Sequence, residues 1–436
     1  ALIDTLPSWR TSLSLKNYLR QLALSMVFAA TAAHADMTIE VVGVGSQQYP
    51  IAIVPFQNEQ AQSQAITPVV SNDLNTSGMF KLIATGGVTP QAYTPGAVDF
   101  AALQASGAQY AVVGQTIADG GQIMVKFWLL DVASKQELIA FEKRGNPAQL
   151  RRISHQIADM IYAKITGKSG AFASRIAYIL KTGKSYQLQV ADADGFGAQT
   201  VLKSRMPIMS PRWSPDGGKL AYVSFELEKP VVYVHELASG KRWQAANFKG
   251  SNSSPAWSPD GRQLAVVLTK DGGSQVYVVN LDGSNPRRVS QGGEINTEPS
   301  FTADGRNIIF TSDRGGSPQI YRTSVAGGNA ERLTFSGGYN ASAKISPDGR
   351  TMTYITRDNG YRVAVMDLAS RRSTTLTDTN MDDSPSFAPN SQMILYETDV
   401  GRRGTLAIVS TDGKVKQKLK SQGGEVRQPA WGPMLR

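Results

Sequence analysis

The 436-residue chain has no cysteine and only three histidines, His34, His155 and His235. Disulfides are therefore excluded, and a chain of this length buries enough apolar surface to do without them. A zinc site would need carboxylates and widely separated histidines, and no metal-ligand spacing appears, so neither metal nor cofactor is expected. No Gly-x-Ser-x-Gly nucleophile elbow occurs. Gly167-Lys168-Ser169 and Gly183-Lys184-Ser185 look like the end of a phosphate-binding loop, but Tyr162 and Tyr178 stand where its first glycine must be, so both read as turns. Long apolar runs are missing as well: Leu22 to Ala33 falls short of the roughly 20 residues that span a bilayer. These absences leave no catalytic residue to nominate.

What is present is a repeat. Arg212-Trp213-Ser214-Pro215-Asp216-Gly217 recurs as Trp257-Ser258-Pro259-Asp260-Gly261, Phe301-Thr302-Ala303-Asp304-Gly305, Ile345-Ser346-Pro347-Asp348-Gly349, Phe387-Ala388-Pro389-Asn390-Ser391 and a truncated Trp431-Gly432-Pro433. The residues at the proline position lie 44, 44, 44, 42 and 44 apart. Ser, Pro, Asp and Gly in this order suit a type I turn, which gives the recurring aspartates a local capping role. Strand formers flank each turn, as in Leu220-Ala221-Tyr222-Val223 and Leu264-Ala265-Val266-Val267, and a second hairpin follows in every unit. Four strands per unit of this length is a propeller blade. The sixth unit is split: Ile176–Ile179, Leu188–Val190 and Thr200–Leu202 await an inner strand that residues 428–433 supply, closing a six-bladed ring over residues 168–436. Closure leaves only short edges exposed.

Ahead of the repeat, residues 36–167 read as a small α/β domain, so the whole is mainly β, a six-bladed β-propeller preceded by that domain. Ile51–Phe56 reads as a buried strand and Ala65–Leu74 as a helix. A second helix follows Asp99, three strands run through residues 110–115, 122–130 and 137–142, and Pro147 opens a last helix that Gly167 stops. His155 lies in that helix and His235 in a propeller strand, and both read as structural. Residues 1–35 form a signal peptide, with Arg10, Lys16 and Arg20 before the apolar run and Ala33-His34-Ala35 as the cleavage pattern. Its removal takes away three basic residues and one acidic one, leaving the formal charge of +10 at +8. Export and scattered Lys and Arg argue against nucleic acid and for solubility or acidic partners.

These blades, the split last blade, the preceding α/β domain, the leader and the run Asn296-Thr297-Glu298-Pro299 together resemble the TolB family, periplasmic propellers of the Tol-Pal envelope system. The resemblance spans about residues 36–436. In a propeller the first strand of each blade is innermost, so Met209-Ser210, Ser251-Asn252-Ser253-Ser254, Asn296-Thr297-Glu298, Asn340-Ala341-Ser342, Asp382-Asp383-Ser384 and Arg427-Gln428 crowd one mouth of the channel. A polar ring at a concave mouth suits protein recognition, although small hydroxyl residues there also cap strands. The resemblance implies that Pal, the peptidoglycan-associated lipoprotein, is held at this mouth, with Thr297 and Glu298 central. Where the family often has His-Asn-Gly-Ala, this chain has Ser251–Ser254, and only Asn252 matches.

The arm over residues 36–50 contains a β-prone run, Thr38-Ile39-Glu40-Val41-Val42, before the flexible Gly43–Gln48. It reads either as an edge strand of the first domain or, as the resemblance implies, as the segment that binds TolA of the inner membrane. The function expected is a non-enzymatic, monomeric periplasmic adaptor supporting outer-membrane integrity and constriction at division, with imported toxins as further partners. The alternative is a propeller enzyme acting on an envelope polysaccharide or peptide. A peptidase of the prolyl oligopeptidase type would need roughly two hundred further residues and the missing elbow.

Overall fold

The computed structural model describes residues 38–43, 47–87, 91–420 and 423–435; the signal peptide and residues 36–37 and 44–46 of the arm lie outside them. Along the first part run β1 (Thr38–Gly43), β2 (Tyr49–Ile53), α1 (Ile66–Thr76), β3 (Phe80–Ile83), α2 (Phe100–Ala105), β4 (Tyr110–Asp119), β5 (Gln122–Asp131), β6 (Glu137–Gly145) and α3 (Leu150–Thr166). Five of these strands form a sheet in the order β3-β2-β4-β5-β6, with β2 parallel to β3 and β4 and the remainder antiparallel. Alternation along β2 explains its two-sided burial. Ile51 and Ile53 face α1 and α3, where Val70, Leu74, Ile157 and Ile161 are buried, while Ala52 and Val54 face Leu103 of α2. The Asp99 carboxylate caps α2 by accepting from the Ala102 N–H, and Gly167 ends α3 at φ +71°.

Six four-stranded antiparallel blades follow. Blade one combines Ser174–Thr182, Ser185–Asp192 and Gln199–Ser204 with the C-terminal strand Glu425–Met434, which supplies its innermost position. Blades two to six begin with the innermost strands Ile208–Trp213, Asn252–Trp257, Asn296–Phe301, Asn340–Ile345 and Asp383–Phe387. In blade two, Gly217 sits at φ +69°, the Ser214 hydroxyl donates to Asp216 Oδ1 at 2.5 Å, and the same oxygen accepts from the Gly218 N–H at 2.9 Å. Blades three, four and five repeat the hydroxyl-to-aspartate bond through Ser258, Thr302 and Ser346. In blade six Ser391 adopts the left-handed conformation that glycine takes elsewhere. Indole N–H groups staple neighbouring blades: Trp213 donates to the Ala430 carbonyl and Trp257 to the Arg212 carbonyl.

The arm departs from one expectation. β1 is not an edge strand of the first domain; it pairs antiparallel with Lys416–Lys420 and becomes the fifth strand of blade six. By pairing there β1 covers the outer edge that Lys416–Lys420 would otherwise leave open, and Ile39 packs on Leu406, Ile408 and Leu419. Domain and propeller are further tied through charge. Arg151 on α3 pairs with Asp192 at 2.9 Å and with Asp194, both on blade one. His155 Nδ1 lies 2.6 Å from Asp73 on α1, and the Asp159 carboxylate accepts from the Phe172 and Ala173 N–H groups.

Candidate functional site

The six innermost strands share one backbone device. Ser210, Ser254, Glu298, Ser342, Ser384 and Gln428 all have φ between +49° and +57°, and in every blade the pairing register shifts across this residue. This is a bulge, and the following residue, which need not donate to the ladder, is proline in five blades: Pro211, Pro255, Pro299, Pro385 and Pro429. Non-glycine residues held in this region concentrate at functional sites. The signal in the sequence is a second proline four residues before the turn position, in five of the six repeats.

Four of the six bulge N–H groups, those of Ser210, Ser342, Ser384 and Gln428, donate to side chains. Glu298 bridges blade four to blade five: its carboxylate accepts from the Ser342 N–H at 2.8 Å, the Ser342 hydroxyl at 2.6 Å and the Thr311 hydroxyl at 2.9 Å. Gln428 Oε1 accepts from the Ser210 N–H at 2.7 Å, and Glu397 accepts from the Gln428 N–H and from Arg427. Burial pushes the Glu397 carboxyl up despite these donors. Thr297 and Glu298 are half-buried, so Glu298 is a structural tie as well as a candidate contact.

Four of the expected contact residues are not at the surface. Asn252, Asn296, Asn340 and Asp382 are buried. Asn296 donates to Gln275 Oε1 and the Gly292 carbonyl, Asn340 repeats this with Gln319 and Ser336, Asn252 donates to the Phe248 carbonyl, and Asp382 accepts from Thr377 and Thr379. Each fastens the loop entering its blade, which is why a polar residue recurs there. Asp383 and Met209 are exposed, and Ser210, Ser251, Ser254 and Arg427 are half-exposed.

Sequence reasoning missed the apolar part of this face. The loops at the mouth also carry Met206, Leu227, Ile295, Phe335, Met381 and Val400, which with Met209 make seven of the eleven large apolar side chains exposed among the described residues. They were missed because single apolar residues in loops have no periodicity. A second omission lies between the domains, where carboxylate and imidazole atoms of Asp73, His155 and Asp194 gather within 4.8 Å. Arg151 occupies the Asp194 carboxylate that a metal would need, so this is a charge network. Burial pushes the Asp73 carboxyl up to about 6; burial also opposes the His155 charge, but Asp73 and Asp192 outweigh it and hold His155 at about 10.

Two family models match the chain: a TolB amino-terminal domain over residues 37–138 and a TolB beta propeller domain over residues 162–435. The Tol-Pal system protein TolB of Azoarcus sp. (strain BH72) is 62% identical over 397 residues, 90% of this chain and 92% of that one. Its counterpart in Methylobacillus flagellatus is 61% identical over 412 residues, 93% of this chain and 95% of that one. The crystal structure of TolB from Acinetobacter baumannii superposes with a TM-score of 0.84 at 39% identity, covering 91% of this chain and all of that one. The chain belongs to the TolB family, a component of the Tol-Pal system.

Proposed function

We propose that this chain is a non-enzymatic adaptor of the periplasm, exported by residues 1–35, that binds Pal at the propeller mouth and TolA through its N-terminal arm. The observation that carries the reading is the mouth itself. Seven exposed apolar side chains, three of them methionines, surround a ring of partly satisfied polar groups that includes Asp383 and Arg427. Large apolar side chains left exposed and gathered with polar groups on one face mark a protein interface. For the arm, the support is its position: a short strand at the edge of blade six leaves by breaking one ladder and offers the same backbone groups to a partner. By linkage, a Pal-dependent change in docking of the arm changes TolA affinity, and TolA changes Pal affinity by the same factor.

Ile295→Asp and Met381→Asp test the mouth. Exposed substitutions cost under about 0.5 kcal/mol of stability, so melting is unchanged, while Pal affinity measured by calorimetry falls about tenfold or more, which is 1.4 kcal/mol. Unaltered Pal affinity in both folded variants refutes the mouth as the site. A chain lacking residues 36–43 loses TolA binding and keeps Pal binding; retained TolA affinity removes the arm from the mechanism.

A further inference from the structure

The channel opens a second time, on the face of the Ser-Pro-Asp-Gly turns, and the charges inside that opening have no part in the mouth. A cavity of about 500 Å³ lies there, rimmed by Pro215, Pro259, Pro347, Pro389 and Pro433. Its wall includes the residue two after the bulge in each innermost strand, which around the ring is Arg212, Ala256, Ser300, Lys344, Ser386 and Ala430. Four of these are small. The two long side chains are both cations, and they stand on blades two and five, three apart in a ring of six, so they face each other across the channel axis.

Neither cation has a carboxylate within ion-pairing distance among the described residues. Arg212 Nη1 spends one donor on the neighbouring Pro211 carbonyl at 2.7 Å; the Lys344 ammonium has no hydrogen-bond partner among the described residues. The carboxylates whose field reaches them, Glu298 and Asp383, sit two and three residues nearer the mouth. Glu298 is turned to Thr311 and Ser342, and Asp383 accepts from the Ser384 N–H. Burial and the like charge of Arg212 bring Lys344 down to about 7. Two enclosed like charges without partners are costly, and an anion shared between them removes the cost.

We propose that Arg212 and Lys344 clamp a small oxyanion, carboxylate or phosphate, that enters from the turn face. A guanidinium presents two parallel donors to such a group and an ammonium supplies a point charge from the opposite wall. The Ser300 and Ser386 hydroxyls line the same cavity and offer further donors. The site is held in advance of the ligand, since Trp257 fixes the Arg212 carbonyl at 3.0 Å and Trp213 fixes that of Ala430 at 3.1 Å. The clamp is independent of Pal and TolA, because it lies at the other end of the channel.

Acetylation of Lys344 by trace acetic anhydride, followed by mass spectrometry of the full-length protein, tests the clamp without any substitution. The probes are inorganic phosphate and acetate, each compared with sodium chloride at equal ionic strength. Bound oxyanion slows labelling at Lys344 about threefold once its concentration exceeds about twice the dissociation constant, while the exposed Lys203 is unaffected. Protection by phosphate alone assigns the site to phosphate, and protection by both assigns it to oxyanions in general. Equal labelling of Lys344 in all three salts overturns the proposal. In Arg212→Gln, checked for folding by its melting, the protection disappears; protection that persists there refutes the two-sided clamp.

Discussion

Replacing Glu298 by alanine removes, with one truncation, two hydrogen bonds from Ser342 that tie blade five to blade four and a third, from Thr311, within blade four. The Ser342 N–H belongs to a buried residue, and after the change only the Thr311 hydroxyl, 3.2 Å away, remains to accept it. Breaking bonds to a charged acceptor costs about 1.5–3 kcal/mol each when the partner is left unsatisfied. Here Glu298 is half-buried, so water recovers part of the loss, and about 2–3 kcal/mol remains for the set. Backbone strain does not enter, because alanine at φ +53° is no better and no worse placed than glutamate. Glu298→Gln keeps the length and an acceptor for the Ser342 N–H, and costs about 1 kcal/mol or less. Unfolding of a two-part chain need not be two-state, so the direct readout is native-state hydrogen exchange. Protection of the Ser342 amide falls about 30- to 150-fold in the alanine variant and less than about tenfold in the glutamine variant. Unchanged Ser342 exchange in Glu298→Ala, or equal losses in both variants, refutes the bridge. A charge reversal at Glu298 therefore disturbs folding and any Pal contact together, contrary to the expectation for an exposed residue, and only the glutamine variant separates them.

The Asp73–His155 pair predicts a pH dependence. Its histidine has a folded pKa of about 10 against an ordinary 6.5, so its contribution is complete below pH 6.5 and is lost as pH rises through 10; the melting difference between wild type and His155→Gln accordingly shrinks over that window, and a constant difference refutes the pairing. At pH 7 the same substitution strands the buried Asp73 carboxylate and costs about 3–5 kcal/mol. Ala343→Pro completes the proline ring in the one blade that lacks it: the preceding Ser342 has φ +57°, close to the +49° to +53° found before the other five prolines, so denaturation midpoints rise by an amount equivalent to about 0.4–1 kcal/mol, and a lower midpoint shows that blade five differs in its bulge.

The blades were legible because their causes are local. A Ser-Pro-Asp-Gly turn specifies itself through Ser214, Asp216 and Gly217 within six residues, and its return at a nearly constant interval counts the blades without any long-range information. The split blade followed from the same count, since Ile176–Ile179 lacked an inner partner that the C-terminal residues could provide. The proline that follows the bulge in five of the six blades is equally local, and the two prolines together mark the ring of left-handed residues. Other features depend on which residues the closed ring brings together. Asn296 looks like a surface donor in the sequence, yet it is buried because Gln275 and Gly292 arrive from the neighbouring strand and loop. β1 has the pattern of an edge strand in any sheet, and only the bare edge of blade six decided which sheet. Arg212 and Lys344 are separated by 131 intervening residues in the chain, and they face each other solely because six blades close a circle. Turn chemistry and strand alternation are short-range and were fixed by the residues themselves; opposition across a channel, burial of a polar side chain and the meeting of charges between domains are set by closure of the chain in space.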